Sequence, residues 1–166
     1  MLNVDGSDFP KKGTDSVGVA RQHCGLLGKT ENCQAGVFVG YSSTKGYGLV
    51  DRRLYIPQKW FGKEYAGLRE KCAVPEDLTF RTKNQLAADM LPEDTEMETL
   101  NRVATMRWPI EQCFEECKSH LGMGHYETRS YRAWYRHMLF VMMAHLFTMM
   151  LRIRFKKNGS LDHADG

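Results

Sequence analysis

Residues 34–56 read Gln34-Ala35-Gly36-Val37-Phe38-Val39-Gly40-Tyr41-Ser42-Ser43-Thr44-Lys45-Gly46-Tyr47-Gly48-Leu49-Val50-Asp51-Arg52-Arg53-Leu54-Tyr55-Ile56. Two runs rich in β-branched and aromatic residues flank a short Ser/Thr/Gly turn, which predicts a β-hairpin. The glycines weaken each strand without reversing that reading. Asp51 reads as a hairpin residue with a local or ionic partner, and Pro57 ends the hairpin. Upstream, Met1–Asp5 is a short apolar-polar run ending in an acid. It reads as the end of a strand whose own N-terminal partner is missing or separate. Between Asp5 and Asn32 stand Gly6, Pro10, Gly13, Gly18, Gly25 and Gly28, so this stretch reads as a long loop with one strand at Ser16–Ala20.

Downstream the apolar period changes from two to that of a helix. Lys59–Lys71 reads as a helix with Trp60, Tyr65 and Leu68 on its apolar face. Thr82–Leu91 reads as a second, stopped by Pro92. A third begins near Pro109, which a first turn tolerates. Its buried stripe is Ile110, Cys113, Phe114, Cys117 and Leu121, and Gly122 and Gly124 end it. Ser130–Lys156 reads as one long helix. The order predicts an α/β fold: a β-rich N-terminal sheet covered by the C-terminal helices.

The chain has 166 residues, enough for one domain with a real core. With 42% hydrophobic and 26% charged residues it falls in the globular class, outside the disordered one. A net charge of +3 is compatible with nucleic acid without pointing to it. Its distribution says more: residues 129–157 hold seven Lys or Arg and no Asp or Glu. Within that region Arg129, Arg132 and Arg136 share a helical side, with Tyr131, Trp134 and Tyr135 interleaved. That pattern fits either DNA-backbone contact or an amphipathic surface.

Five cysteines form no regular framework, and no secretory signal opens the chain, so a reducing cytoplasm is the expected location. Cys113-x3-Cys117 with His120 lacks a fourth zinc ligand at good spacing, and the two thiols read as small core residues. The apolar run Met138–Leu151 is short for a bilayer and flanked by arginines, which predicts a buried helix and no membrane. Its methionines read as core filler, and His125, His137 and His145 as structural.

Arg107-x3-Glu111-x6-Lys118 is the most informative spacing. Seven residues place Glu111 and Lys118 within about 20° on a helix. Alone, the pair fits a solvated ion-pair face. It also fits a metal ligand beside a phosphate contact in a DNA-cutting enzyme.

The remaining motifs favour the second reading. Val4-Asp5-Gly6-Ser7-Asp8-Phe9-Pro10-Lys11-Lys12-Gly13, Ser16-Val17-Gly18-Val19-Ala20-Arg21-Gln22 and Asn32-Cys33-Gln34 resemble the DDE transposases of prokaryotic insertion sequences, in the branch with a Tyr-Arg-Glu-Lys signature. Leu49–Pro57, Arg107-Trp108-x-Ile110-Glu111-x-x-Phe114 and His125-Tyr126-Glu127-x-Arg129-Ser130 with Trp134–His137 continue the resemblance. Together they cover most of residues 3–155.

The resemblance implies an RNase H-like core in which two Asp and one Glu hold two Mg2+ ions for in-line phosphoryl displacement. It implies double-stranded transposon-end DNA as substrate, and a homo-oligomer or an intact transposase as a protein partner. Matched by position, Asp5 is the first Asp and Glu111 the Glu, together the expected catalytic metal ligands. Arg107 and Lys118 are the signature Arg and Lys, near DNA backbone or the Glu. Lys11 and Lys12 are solvated lysines or, in a DNA-cutting ancestor, phosphate contacts.

Two departures stand out. Ala104 occupies the signature Tyr position. No strand-like run lies between Leu91 and Glu111 to carry the second Asp, and neither Asp89, in a helix pattern, nor Asp94, after Pro92, has the strand-end placement required. The resulting expectation is a truncated, internally deleted copy. Residues 1–92 form the first part of the DDE domain, 93–106 a linker at the deletion, 107–157 the helical part with the Glu, and 158–166 a disordered tail. Two functions follow: a transposase by descent, inactive as this fragment, or a non-catalytic DNA- or partner-binding remnant.

Overall fold

A single antiparallel sheet is built around one long strand. The computed structural model describes residues 1–92 and 108–159, with side chains to 156. The sheet contains β1 (Leu2–Pro10), β2 (Ala20–Cys24), β3 (Lys29–Ser43) and β4 (Gly46–Tyr55). β3 is central, pairing with β1 on one side. On the other side it pairs first with β2 and then with β4. Residues 33–40 of β3 are all buried, so both faces of the sheet are covered here. The predicted hairpin is present as β3 and β4, with a bulge at Val39/Gly40 that leaves Val50 outward.

Three strand expectations are corrected. Asp5 lies in the middle of a strand, because β1 stays in register with β3 from Leu2 to Pro10. Pro10 is tolerated because it closes the strand. The expected long loop is mostly β1 and a second hairpin, β2–β3, turning at Gly25–Gly28, where Gly28 supplies φ +63°. Ser16–Val19 is a turn instead of a strand: Gly18 sits at φ +72°, and the Val17 amide bonds the Arg129 carbonyl at 3.0 Å.

The expected helix at 59–71 is broken into 3-10 turns at Gln58–Phe61 and Lys63–Tyr65, followed by α1 (Ala66–Lys71). Gly62 between the two turns is extended (φ −72°, ψ 163°), which interrupts the helical path. α2 (Lys83–Ala88) opens on a reciprocal Thr82–Gln85 capping box. α3 (Trp108–His120) buries Ile110, Cys113, Phe114 and Cys117, as its stripe predicts. Gly122 at φ +69° ends it, and the Met123 amide returns to the Cys117 carbonyl. α4 (Tyr131–Gly159) is the long helix and continues two residues into the expected tail. Arg129 precedes α4, so it does not share that helix with Arg132 and Arg136. The expected linker at 93–106, the signature Arg107 and residues 160–166 lie outside the described residues.

α3 and α4 pack on the same face of the sheet, and one core joins the N-terminal and C-terminal parts. Phe38 is its hub, with ring centroids 5.4 Å from Phe114, 6.2 Å from Trp134 and 6.5 Å from Phe9. Two β3 glycines make this approach possible. A Cβ on Gly36 would lie 2.7 Å from the Phe38 ring and 3.1 Å from Trp134, and one on Gly40 would lie 3.3 Å from Ile110. These glycines give up strand propensity so that two helices can close on the sheet. Cys113 and Cys117 are buried free thiols, both pushed up to about 12 by burial.

The methionine expectation holds in part. Met138, Met142 and Met149 are buried, whereas Met143 and Met150 are 56% and 61% exposed. α4 is also longer than the apolar run implied. By length and hydropathy alone its span Tyr131–Lys156 would suffice to cross a bilayer, yet one side of it is built into the core.

Candidate functional site

Directly paired residues on neighbouring strands point to the same face. Asp5 is opposite Phe38, whose ring lies under Phe114 and Trp134. Asp5 therefore projects from the face that α3 and α4 cover, together with buried Asn3, Ser7 and Phe9. α3 follows β1. At one end Ile110 sits over Gly40, the partner of Asn3. At the other, Lys118 Nζ donates to the Asp8 carbonyl at 3.3 Å and lies 5.4 Å from the Phe9 ring centroid. Glu111 stands on the Lys118 side of α3, two turns earlier, and is exposed. Asp5 is thus on the sheet face that α3 covers, and Glu111 is on α3 itself. One Asp5 oxygen accepts the Gly6 amide at 2.8 Å.

Carboxylate oxygens suit Mg2+. Among the described residues, however, no three His, Cys, Asp or Glu side chains come together as a metal-holding group. Asp89 is on the other side of the sheet. Its helix α2 contacts that side through Lys83, which lies 3.8 Å from Asp8 Oδ1 and over the Tyr55 ring. Asp89 itself is 3.9 Å from Arg81. Asp94 lies outside the described residues. Asp51 is paired locally, with Arg53 Nη1 at 2.8 Å.

Three of the expected DNA contacts converge elsewhere. Lys11, Lys12 and Arg129 line an open cavity of about 730 Å³ between the end of β1 and the loop at 124–129. Lys11's neighbour Pro10 lies five positions along the strand from Asp5, roughly 17 Å. Lys12 is exposed, and Arg129 makes an exposed pair with Asp15 at 3.3 Å. Lys11 is half-buried; it donates to the Tyr126 carbonyl and lies over that ring. Burial lowers its pKa, against the opposing pull of Glu127. Lys118 is likewise held below the ordinary lysine value, first by burial, with Asp8 opposing. Arg132 and Arg136 are exposed on α4, outside this cavity.

One polar cluster escapes a sequence reading. Glu116 accepts from Tyr47 Oη at 2.7 Å and from Arg152 at 3.1 Å, and its second oxygen lies 2.9 Å from His145 Nε2. The side chains come from β4, α3 and α4. Burial raises the Glu116 carboxyl, but the hydrogen bonds from Tyr47, His145 and Arg152 outweigh it and hold the group below the usual glutamate value. The one sequence signal was a histidine inside an apolar helix, which needs a polar partner.

The profile of the DDE superfamily endonuclease matches residues 1–102. No curated protein and no solved structure matches the chain. The matched span contains β1, the Asp5 strand and the entire sheet. Members of that superfamily are nucleases that act on DNA and generally use divalent metal ions. The chain belongs to the DDE superfamily of endonucleases.

Proposed function

We propose that this chain is by descent the transposase of an insertion sequence, acting on double-stranded DNA at transposon ends, and that alone it binds DNA without cutting it. The observation that supports the reading is that Asp5 projects from the sheet face that α3, the helix carrying Glu111, covers. The resemblance to the Tyr-Arg-Glu-Lys branch supports the insertion-sequence assignment and an RNase H-like ancestry for the sheet. Asp5 and Glu111 are the groups that would hold Mg2+. The described residues offer those two carboxylates and no third, fewer than a two-ion site requires, so no cutting step is derived for them.

DNA contact is assigned to Lys11, Lys12 and Arg129 around the cavity and to Arg132 and Arg136 on α4, with Lys118 between cavity and carboxylates. The test uses the full chain, Mg2+ and supercoiled DNA bearing the element's ends. Salt-sensitive binding without nicking is the expected result. Nicking that disappears in Asp5→Ala or Glu111→Ala would overturn the non-catalytic part. Absence of binding at low salt would overturn the DNA part.

A further inference from the structure

α4 has two apolar sides, and the fold uses one. Trp134, Met138, Val141, Met142, His145 and Met149 are buried on the sheet side. Leu139, Met143, Leu146 and Met150 form a second line on the outside, and Ile153, which also reaches Gly46 on the sheet, ends it; each is at least 40% exposed. Their spacing alternates four, three, four and three residues, the 3.5-residue period of a helix that packs along another helix. Phe140 and Phe147 flank the line at 62% and 61% exposure.

Taking about 200 Å² for a fully exposed large side chain, these seven leave roughly 750 Å² of apolar surface in water. A typical monomer's largest exposed patch is about 300–600 Å². Two copies joined through this surface would bury roughly 1,500 Å², inside the range of about 1,200–2,000 Å² for a stable protein interface.

We infer that the outer face of α4 is a homodimer interface, the helix of one copy packing along that of a second. Three features select this occupant. The seam is a narrow line at helix–helix spacing. No Asp, Glu, Lys or Arg interrupts residues 137–151, so the central region meets its own copy without a charge clash. Among the described residues, the other exposed large hydrophobics are scattered: Leu26, Leu27 and Val50 on the sheet's turn and bulge, Met1 and Tyr41 on its edge, Trp108 at the start of α3 and Phe155 near the end of α4. Insertion of α4 across a bilayer would instead extract Trp134 and Met138 from the core.

Cations gather at both ends of α4, with Arg132 and Arg136 before the seam and Arg152 and Arg154 after or beside its end. In a dimer like charges approach there, so salt strengthens association by screening them. DNA binding has the opposite dependence. This inference is therefore independent of the DNA reading, and the two fail separately.

Sedimentation equilibrium of the full chain at low and high salt tests it. The expected result is a monomer–dimer equilibrium that tightens with salt. Leu146→Glu and Phe147→Ser should each weaken it at least about tenfold, with unchanged far-UV circular dichroism because neither side chain is in the core. Leu146→Cys provides a test that leaves the seam apolar. The five native cysteines are buried, so oxidation should give a disulfide dimer through position 146 and none through Leu26→Cys. A wild-type chain that stays monomeric overturns the inference. So does a dimer indifferent to both seam substitutions, equal cross-linking at 146 and 26, or a monomer that floats with phosphatidylglycerol vesicles.

Discussion

Lys118 Nζ donates to the Asp8 carbonyl at 3.3 Å, a contact that ties α3 to β1. Its cost is visible in the lowered Lys118 pKa, since burial disfavours the ammonium more than Asp8 favours it. A cation kept where it destabilises itself is a functional candidate. Lys118→Met should leave the thermal midpoint unchanged or slightly raised while weakening DNA binding at low salt. A marked loss of stability with intact binding would reduce the lysine to a strap.

The same shift has a pH signature. The folded-state pKa lies below the ordinary lysine value of 10.5, so the unfolded chain binds the proton more tightly over the interval between them. Stability from this group therefore rises as pH climbs through that interval. Tyrosines raised by burial, such as Tyr126, act in the opposite direction. The informative measurement is the wild-type minus Lys118→Met difference in unfolding free energy across alkaline pH, which should increase as pH approaches the ordinary lysine pKa.

Glu116 links β4, α3 and α4 through Tyr47, His145 and Arg152. Its folded pKa is depressed, so its contribution is present above the unfolded value of about 4.5 and is lost as pH falls through the folded one. Urea unfolding should show this acid loss in the wild type and a flatter profile in Glu116→Gln. Glu116→Ala, which leaves the buried imidazole without its partner, should cost about 2 kcal/mol at neutral pH.

Gly36 and Gly40 are tests of helix closure on the sheet. Gly36→Ala places a methyl 2.7 Å from the Phe38 ring and 3.1 Å from Trp134, and should cost about 2–3 kcal/mol. Gly40→Ala meets Ile110 at 3.3 Å, so a shift of a few tenths of an ångström relieves it and the loss should be smaller. Thermal unfolding of the two variants should rank them in that order.

Arg132 and Arg136 are exposed on α4, whereas Lys11 is committed to the Tyr126 carbonyl. Arg132→Gln and Arg136→Gln should each lower the salt slope of DNA binding by about 1 and affect all sequences alike. Lys11→Gln should weaken DNA binding and also loosen the loop at 124–129, because it gives up the Tyr126 carbonyl. Equal slopes for wild type and both arginine variants would remove α4 from the DNA path.

The hairpin at 34–56, the α3 stripe and the extent of α4 were legible because their periods are local. A β-branched run, a capping pair or an i, i+4 stripe states its conformation within a few residues. The β2–β3 hairpin was not, since Gly25-Leu26-Leu27-Gly28 looks like loop until β3 is long enough to pair with both β1 and β2. Asp5 reads locally as a strand end for the same reason: Gly6 and Pro10 argue for a break, and only the continuous pairing with β3 carries the strand past them.

By itself, then, the sequence determined the order of sheet and helices, the buried side of α3 and the resemblance that led to the superfamily. Tertiary structure decided which distant side chains meet. Asp5 lies under α3, the helix that carries Glu111, because the β1–β3 register sets it opposite Phe38, against which Phe114 packs. Glu116 finds His145 because α3 and α4 share one sheet face. Met142 is buried and Met143 is not because α4 lies on β4 along one line only. Apolar character encodes a tendency to leave water, but the surface that receives each side chain exists only after the long-range pairing is made.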